Sequence, residues 1–156
     1  MLPARILCFG ELLFRLIPHL KDHTAHIYPG GAEANVAAAL GTWGIPVDYV
    51  SCAPANRIAD EVLQELQRCQ VNVDKVLKSG ERLGFYYAIP GADLKSSSVV
   101  YDRKFSSFSE LKPGDMNWKA LLKDVTWFHW SAITPALSDR HAAVCEEALI
   151  TAQQLG

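Results

Sequence analysis

Several patterns that would point to common functions are missing from this sequence of 156 residues. No apolar run is long enough to cross a bilayer, and no block of basic residues suits nucleic acid or an anionic membrane surface. The formal net charge is −2, and the 49% hydrophobic content is ordinary for a globular domain. We therefore expect one domain with a substantial core, and neither nucleic acid nor a membrane as its partner.

Disulfide, metal and targeting patterns are missing as well. The His19, His23 and His26 side chains fall in a polar connection without another ligand at a suitable spacing, so we expect solvated loop histidines and no metal site. The first apolar stretch is soon broken by Glu11 and Arg15, which does not fit a signal peptide. No Cys-x-x-Cys pair occurs, so we expect reduced core thiols of a cytoplasmic protein at all four cysteines: Cys8, Cys52, Cys69 and Cys145.

Common catalytic motifs are absent too. There is no Gly-x-Ser-x-Gly elbow, no phosphate-binding Gly-x4-Gly-Lys-Ser/Thr loop and no Gly-x-Gly-x-x-Gly after the first strand. The sequence therefore assigns no catalytic, cofactor-binding or metal-ligating residue.

The most informative segment that is present runs from Tyr28 to Leu40. Gly30 and Gly31 allow a sharp turn and a close approach to a ligand, and a helix of small apolar residues follows. The free amides of its first turn and the Asn35 side chain indicate a site for a polar small molecule. The alternative is purely structural, with the glycines forming a turn and Asn35 a local cap.

The order of elements is mostly alternating, which predicts a parallel sheet with covering helices. One predicted helix carries Ile58, Val62, Leu63 and Leu66 on one face and ends near Gln70. Another starts at about Ser138, which caps it, and runs to Leu155. Extended segments are predicted at Ile6–Phe9, Val47–Cys52, Val71–Val73 and Val125–Trp130, with the last a buried strand.

Two regions break this alternation. Residues 12–28 form an extended, irregular excursion. Residues 82–103 are predicted to form a hairpin with strands at 83–89 and 98–103 and a turn at 90–93. Such a small sheet could cover a site, and its exposed edge or face is a usual route to a dimer.

The predicted hairpin carries side chains suited to a sugar acid. Tyr101 and Arg103 are two residues apart and so share one face, which Tyr86 can join from the neighbouring strand. An arginine fork binds a carboxylate through two charge-assisted hydrogen bonds, and tyrosines offer hydroxyls and flat apolar surfaces. The alternative is an exposed strand with a solvated arginine.

Together these residues resemble the ribokinase-like (PfkB) carbohydrate kinases, and most of all the 2-keto-3-deoxygluconate kinase branch. Gly30–Ala37 is similar to the N-terminal signature of that family. Four further segments match in order: Gly10-Glu11, Arg82–Tyr87, Val100–Arg103 and Ser131–Ser138.

The resemblance implies a Rossmann-like α/β domain with a β-sheet lid formed by residues of about 12–29 and 82–105, often shared in a homodimer. It implies transfer of the ATP γ-phosphoryl group to the terminal hydroxyl of 2-keto-3-deoxygluconate, with Mg²⁺ neutralising charge. Arg103 would hold the substrate carboxylate, and Glu11 would be a neighbour of the sugar. The implied sugar-binding residues are Gly31, Asn35, Tyr86, Tyr101, Arg103 and the backbone of Ile133.

The sequence also departs from the family pattern. Where the family often has Gly and Asp after the second strand, this chain has Ala53–Asp60. The Gly-Ala-Gly-Asp motif, which supplies the anion hole and the catalytic base in the C-terminal half of the family, has no match, nor has the ATP-binding region. The resemblance therefore implies an incomplete ribokinase-like fold, with residues 1–156 as the N-terminal part of one kinase domain that is inactive alone. The alternatives are another PfkB sugar kinase, such as a fructokinase, and a non-catalytic sugar-binding or dimerisation fragment.

Overall fold

The computed structural model describes residues 4–91 and 97–156. No helix within these ranges is long and apolar enough to cross a membrane. The strands are β1 (Ile6–Phe9), β2 (Leu13–His19), β3 (Thr24–Gly30), β4 (Val47–Val50), β5 (Cys52–Ala53), β6 (Leu77–Lys78), β7 (Gly84–Ile89), β8 (Ser98–Asp102) and β9 (Trp127–His129). The helices are α1 (Ala32–Thr42), α2 (Arg57–Arg68), α3 (Trp118–Leu121), α4 (Ile133–Ala136) and α5 (Asp139–Leu155).

The central sheet has the order β4-β1-β9, and both of its pairings are parallel. This confirms the predicted parallel sheet with helices against it. Two details differ from the prediction. The segment 47–52 is split, because β4 stays in this sheet while β5 leaves it to pair with β6. The segment 125–130 is a strand only over β9, and the Trp127 side chain is 67% exposed because β9 lies at the edge of the sheet in the described part of the chain.

Two apolar clusters lie against this sheet. One packs the buried faces of α1 and α2 beneath Cys8, Val47 and Tyr49, and the other packs α5 against Leu7 and Phe9. Asn56 caps the start of helix α2, and its side-chain oxygen accepts from the Ala59 amide at 2.9 Å. Val62, Leu63 and Leu66 are buried as predicted, but Ile58 is 60% exposed because it lies in the first turn, outside the buried stripe.

A second sheet with the order β3-β2-β7-β8 stands beside the first. The irregular excursion predicted for residues 12–28 is wrong, because β2 and β3 form a regular antiparallel pair over their whole length. Strand β7 pairs in parallel with β2 and antiparallel with β8, so both segments belong to one sheet. The predicted turn at 90–93 reaches outside the described residues, since Ala92 and Asp93 are not among them.

The histidines predicted to lie in a polar connection belong to this sheet or its turn. His19 and His26 are on β2 and β3, with ring centroids 5.0 Å apart, and His23 is in the turn between them at φ 52°. No group of three or more histidine, cysteine, aspartate or glutamate side chains in the described ranges is arranged to hold a metal ion.

The start of α5 anchors the segment that follows β8. The Ser138 side chain caps the helix, as predicted, by accepting from the His141 amide at 3.3 Å. The buried His141 ring bonds Ser138 through Nδ1 at 2.8 Å and the Phe108 carbonyl oxygen through Nε2 at 2.9 Å. Burial lowers the pKa of His141 below its usual value, so the ring is neutral at pH 7. The loop after Arg103 is thereby tied to the body of the domain.

Candidate substrate site

A cavity of about 180 Å³ lies between the two sheets and the start of α1. A larger cleft of about 450 Å³ lies between residues 122–128 and the end of α5, but it lacks a comparable set of polar side chains from several elements. We therefore place the candidate site in the smaller cavity. All six sequence-predicted residues line it, and the full lining is Glu11, Leu13, Gly31, Ala32, Glu33, Asn35, Tyr86, Val99, Tyr101, Arg103, Ile133 and Thr134.

Gly31 forms the floor of this cavity at the start of α1. Its φ of 135° is in the region that favours glycine, and an added Cβ would lie 2.4 Å from the Glu11 carbonyl oxygen. The helix start carries no side-chain cap. Asn35 lies within α1, is exposed and makes no capping hydrogen bond at the helix start, so it is not the local cap that the structural alternative required. Its amide remains available to a ligand.

Tyr86 and Tyr101 form the wall contributed by the second sheet. They lie directly opposite each other on β7 and β8, with ring centroids 5.9 Å apart, so they share one face as predicted. The Tyr86 ring extends across the sheet to Gly30, where an added Cβ would lie 2.8 Å from the Tyr86 Cε1 atom. The absence of a side chain at Gly30 therefore makes room for this ring.

Arg103 is held in place by a buried carboxylate. Its Nε donates to Glu11 Oε2 at 2.8 Å, its Nη2 contacts the same oxygen, and the Ser106 hydroxyl donates to Glu11 Oε1 at 2.6 Å. The Glu11 side chain is 3% exposed and that of Arg103 20% exposed. Arg103 also lies over the Tyr101 ring, with its Cζ 5.4 Å from the ring centroid. It is therefore not the solvated arginine of the alternative interpretation.

Glu33 is a cavity residue that the sequence reasoning missed. Its Oε1 accepts hydrogen bonds from the amide of Ser131, at 3.0 Å, and from the Ser131 hydroxyl. The Ser131 hydroxyl oxygen accepts in turn from the Ile133 amide at 3.3 Å. On the other side an added Cβ at Gly10 would collide with the Glu33 carboxyl group. Glu33 therefore fixes the loop that carries Ile133, and only its place in the first turn of α1 hinted at such a role.

The buried titratable groups around the cavity are not poised as nucleophiles. Burial, with a contribution from Glu33, raises the pKa of the Cys8 thiol to about 12. Burial also raises the pKa of Tyr49, whose hydroxyl donates to the Gly10 carbonyl oxygen at 3.0 Å. These groups therefore stay neutral at ordinary pH, and the described cavity provides binding groups but no activated nucleophile.

The sequence pattern of the pfkB family carbohydrate kinases matches residues 3–156. This chain belongs to that family, and its fold is that of the ribokinase-like kinases. It is 38% identical to a PfkB family carbohydrate kinase from Listeria grayi DSM 20601, with a TM-score of 0.88, covering 98% of this chain and 49% of that one.

Two further relatives carry more specific names. The crystal structure of 2-dehydro-3-deoxygluconokinase from Thermotoga maritima is 35% identical, with a TM-score of 0.91, covering 98% of this chain and 48% of that one. The 2-dehydro-3-deoxygalactonokinase of Haloferax volcanii is 28% identical over an alignment of 158 positions that covers 98% of this chain and 49% of that protein. The chain thus spans about half the length of these relatives.

Proposed function

We propose that this chain forms the sugar-binding part of an ATP-dependent sugar kinase whose acceptor is 2-keto-3-deoxygluconate. The observation that carries the proposal is the convergence of Asn35, Tyr86, Tyr101 and Arg103 on one small cavity above Gly31. These residues come from three separate parts of the sequence, and together they offer an amide, two hydroxyls and a guanidinium to a polyhydroxylated ligand.

The acid form of the substrate is suggested by Arg103. Glu11 occupies the edge of its guanidinium formed by Nε and Nη2, which leaves Nη1 as a donor for a substrate carboxylate. The names of the Thermotoga and Haloferax relatives support a dehydro-deoxy sugar acid. The Ile133 backbone and Asn35 would bind the hydroxyl groups of the carbon chain.

We further propose that ATP and Mg²⁺ are held mainly outside the described cavity. Both carboxylates that line it are engaged, Glu11 by Arg103 and Ser106 and Glu33 by Ser131. We therefore expect these 156 residues alone to bind a sugar acid without phosphorylating it.

We propose that the chain forms a homodimer through the second sheet, which would act as a lid. The sheet face opposite to Tyr86 and Tyr101 carries an apolar cross-strand row made of Ile27, Leu16, Tyr87 and Val100. Ile27 is 58% exposed and Val100 is 51% exposed, so a second copy of the same face would cover both.

We also propose that the protein is cytoplasmic. The cysteines among the described residues are free thiols, which suits a reducing compartment.

The test is calorimetric titration of this chain with 2-keto-3-deoxygluconate, for the wild type and for Arg103→Ala. The variant should lose affinity by about tenfold or more, because a charge-assisted hydrogen bond is removed. Arg57→Ala is the matched control, since Arg57 lies on α2 with its side chain 91% exposed. Equal affinity of Arg103→Ala and wild type would contradict the proposed acid-binding role, and ATP-dependent phosphorylation by this chain would contradict its proposed inactivity.

A neutral keto sugar, as in a fructokinase, is the second candidate. The Glu11 carboxylate offsets the charge of Arg103, and this pairing favours a neutral ligand. The same titrations with fructose decide between the two. Tighter binding of fructose than of the sugar acid by the wild type would favour the fructokinase alternative. The non-catalytic alternative has a different test, because it requires that the complete protein also lacks kinase activity.

A further inference from the structure

The charges around the cavity do not by themselves favour an anionic ligand. Its lining contains two carboxylates, Glu11 and Glu33, against the single guanidinium of Arg103. Glu11 is paired directly with Arg103, and Glu33 is within hydrogen-bond distance of Ser131 only, among the described residues. A carboxylate ligand would therefore enter a site whose lining has a formal charge of −1, which lowers its affinity unless another cation is near.

Arg15 is a cation at the right place in the second sheet. In the pairing register it lies between Tyr28 on β3 and Tyr86 on β7, and Tyr86 lies opposite Tyr101 on β8. These four residues therefore form one cross-strand row on the sheet face that carries the cavity wall. Leu13, two residues before Arg15 on the same strand and face, lines the cavity itself. Neighbouring strands lie about 5 Å apart, and Arg15 is the register partner of Tyr86 in the parallel pair of β2 and β7, so the two residues are direct neighbours.

The guanidinium of Arg15 also has no counter-ion in the described part of the chain. Every other arginine has a carboxylate within 4.0 Å, whereas Arg15 has none among the described residues. Its Nε is buried and has no hydrogen-bond acceptor there. Its Cζ lies 4.8 Å from the centroid of the Tyr28 ring, which holds the side chain against the sheet. An uncompensated, partly buried cation is costly unless a ligand uses it.

We propose that Arg15 is a specificity-determining residue that supplies the second positive charge for a carboxylate ligand in this cavity. This inference rests on the proposed function and deepens it. Arg103 would contact the carboxylate directly, while Arg15, behind Tyr86, makes the potential of the lid face positive enough to prefer the acid over a neutral sugar. With Arg15 included, the formal charge around the cavity rises from −1 to 0, so the ligand no longer meets a net negative site.

The test compares Arg15→Gln with wild type in calorimetric titrations of 2-keto-3-deoxygluconate and of fructose. We expect Arg15→Gln to weaken binding of the acid about tenfold and to leave binding of fructose within about twofold, because only the acid carries a charge. Arg15→Lys keeps the charge and should recover most of the loss. Arg57→Gln, on the exposed face of α2, is the control for a general loss of positive charge.

The outcomes separate this inference from the proposed function. If wild type binds the acid and Arg15→Gln binds it equally well, Arg15 has no role in specificity and the proposed function stands. If Arg15→Gln loses affinity equally for the acid and for fructose, Arg15 has a packing role and the inference is overturned. The inference is also overturned if light scattering shows that Arg15→Gln changes the oligomeric state while its affinity for the acid stays the same. If wild type binds neither ligand, the proposed site and the role of Arg15 both fail. If Arg15→Gln does not fold, the affinity of Arg15→Lys for the acid decides whether the inference holds. A tenfold loss of that affinity, although the positive charge is retained, would overturn the inference.

Discussion

One oxygen of the Glu33 carboxylate accepts both the amide and the hydroxyl of Ser131, the amide at 3.0 Å. Glu33 is 2% exposed, and Ser131 is half-buried, so this hydrogen-bonded contact is largely shielded from solvent. The contact joins the first turn of α1 to the loop that follows β9, and through the Ser131 hydroxyl it reaches the Ile133 amide. Two sequence-distant segments of the candidate site are thus held by one side chain.

Removing this side chain should loosen the loop at 131–133. We expect Glu33→Ala to lower the free energy of unfolding by about 2 kcal/mol, because two hydrogen bonds from Ser131 to a charged acceptor are lost. Amide hydrogen exchange at Ile133 should become faster. Glu33→Gln keeps an acceptor in the same place and should lose under about 1 kcal/mol. Equal destabilisation by the two substitutions in urea unfolding would show that charge, and not the acceptor, matters.

The pair of Glu11 and Arg103 yields a second prediction. Glu11→Ala leaves a mostly buried guanidinium without its partner and should lower the free energy of unfolding by about 3 kcal/mol. Glu11→Gln can still accept from Arg103, so we expect a smaller loss. Because it also removes a negative charge from the cavity, Glu11→Gln should bind 2-keto-3-deoxygluconate more tightly than wild type. Calorimetry measures the affinity, and weaker binding by a folded Glu11→Gln protein would contradict the proposed electrostatics.

A third prediction concerns Gly30 and the Tyr86 ring. The Cβ of Gly30→Ala would lie 2.8 Å from the Tyr86 Cε1 atom, so the ring must shift away from its place in the cavity wall. We expect sugar affinity to fall severalfold while circular dichroism stays unchanged, because the ring is the end of a rotatable side chain. Gly114→Ala is the control for replacing a glycine away from the cavity: an added Cβ there meets no atom within 4 Å, and its φ of 87° strains only the local backbone, so stability should fall but sugar affinity should not. Unchanged affinity of Gly30→Ala would show that the position of Tyr86 does not matter for binding.

Acid should destabilise the fold through Asp48. Burial favours the neutral form of this carboxyl, but hydrogen bonds from Arg5, Lys75 and Asn72 outweigh burial and lower its pKa from 3.8 to about 2. The unfolded chain therefore binds a proton at higher pH than the folded one. The stabilisation, about 2 kcal/mol, is complete above about pH 4 and is lost as the pH falls toward 2. Urea unfolding across this range measures it.

Asp48→Asn is the matched variant for this pH dependence. Asparagine does not titrate, so the variant should be less stable at pH 7 and should lose less stability than wild type between pH 4 and 2. Parallel pH profiles for the two proteins would show that other carboxyl groups are responsible for the acid sensitivity.

The alternating pattern of the sequence was sufficient for the main sheet but not for the second one. Short apolar runs predicted β1, β4 and β9, and the alternation of strands with helices predicted their parallel arrangement. Burial was predicted correctly for β4 and most of β1 but not for β9, which lies at the sheet edge in the described part of the chain. Residues 12–28 have no such composition. They become β2 and β3, which pair with each other through a short turn, while the other edge of β2 pairs with β7 some seventy residues away. No local pattern encodes that second pairing.

The candidate site divides in the same way. Residue types and spacing by themselves determined that Gly30 and Gly31 precede a helix and that Tyr101 and Arg103 share a strand face, which made them candidates for binding a polar ligand. The complete sugar-acid set, with the Ile133 backbone, came from the resemblance to the family. Only the tertiary structure decided that Glu11 engages Arg103, that Glu33 holds Ser131, and that Arg15 has no partner among the described residues. The physical reason is that these contacts depend on burial and on distances between segments far apart in the chain, which the spacing of residues in sequence does not specify.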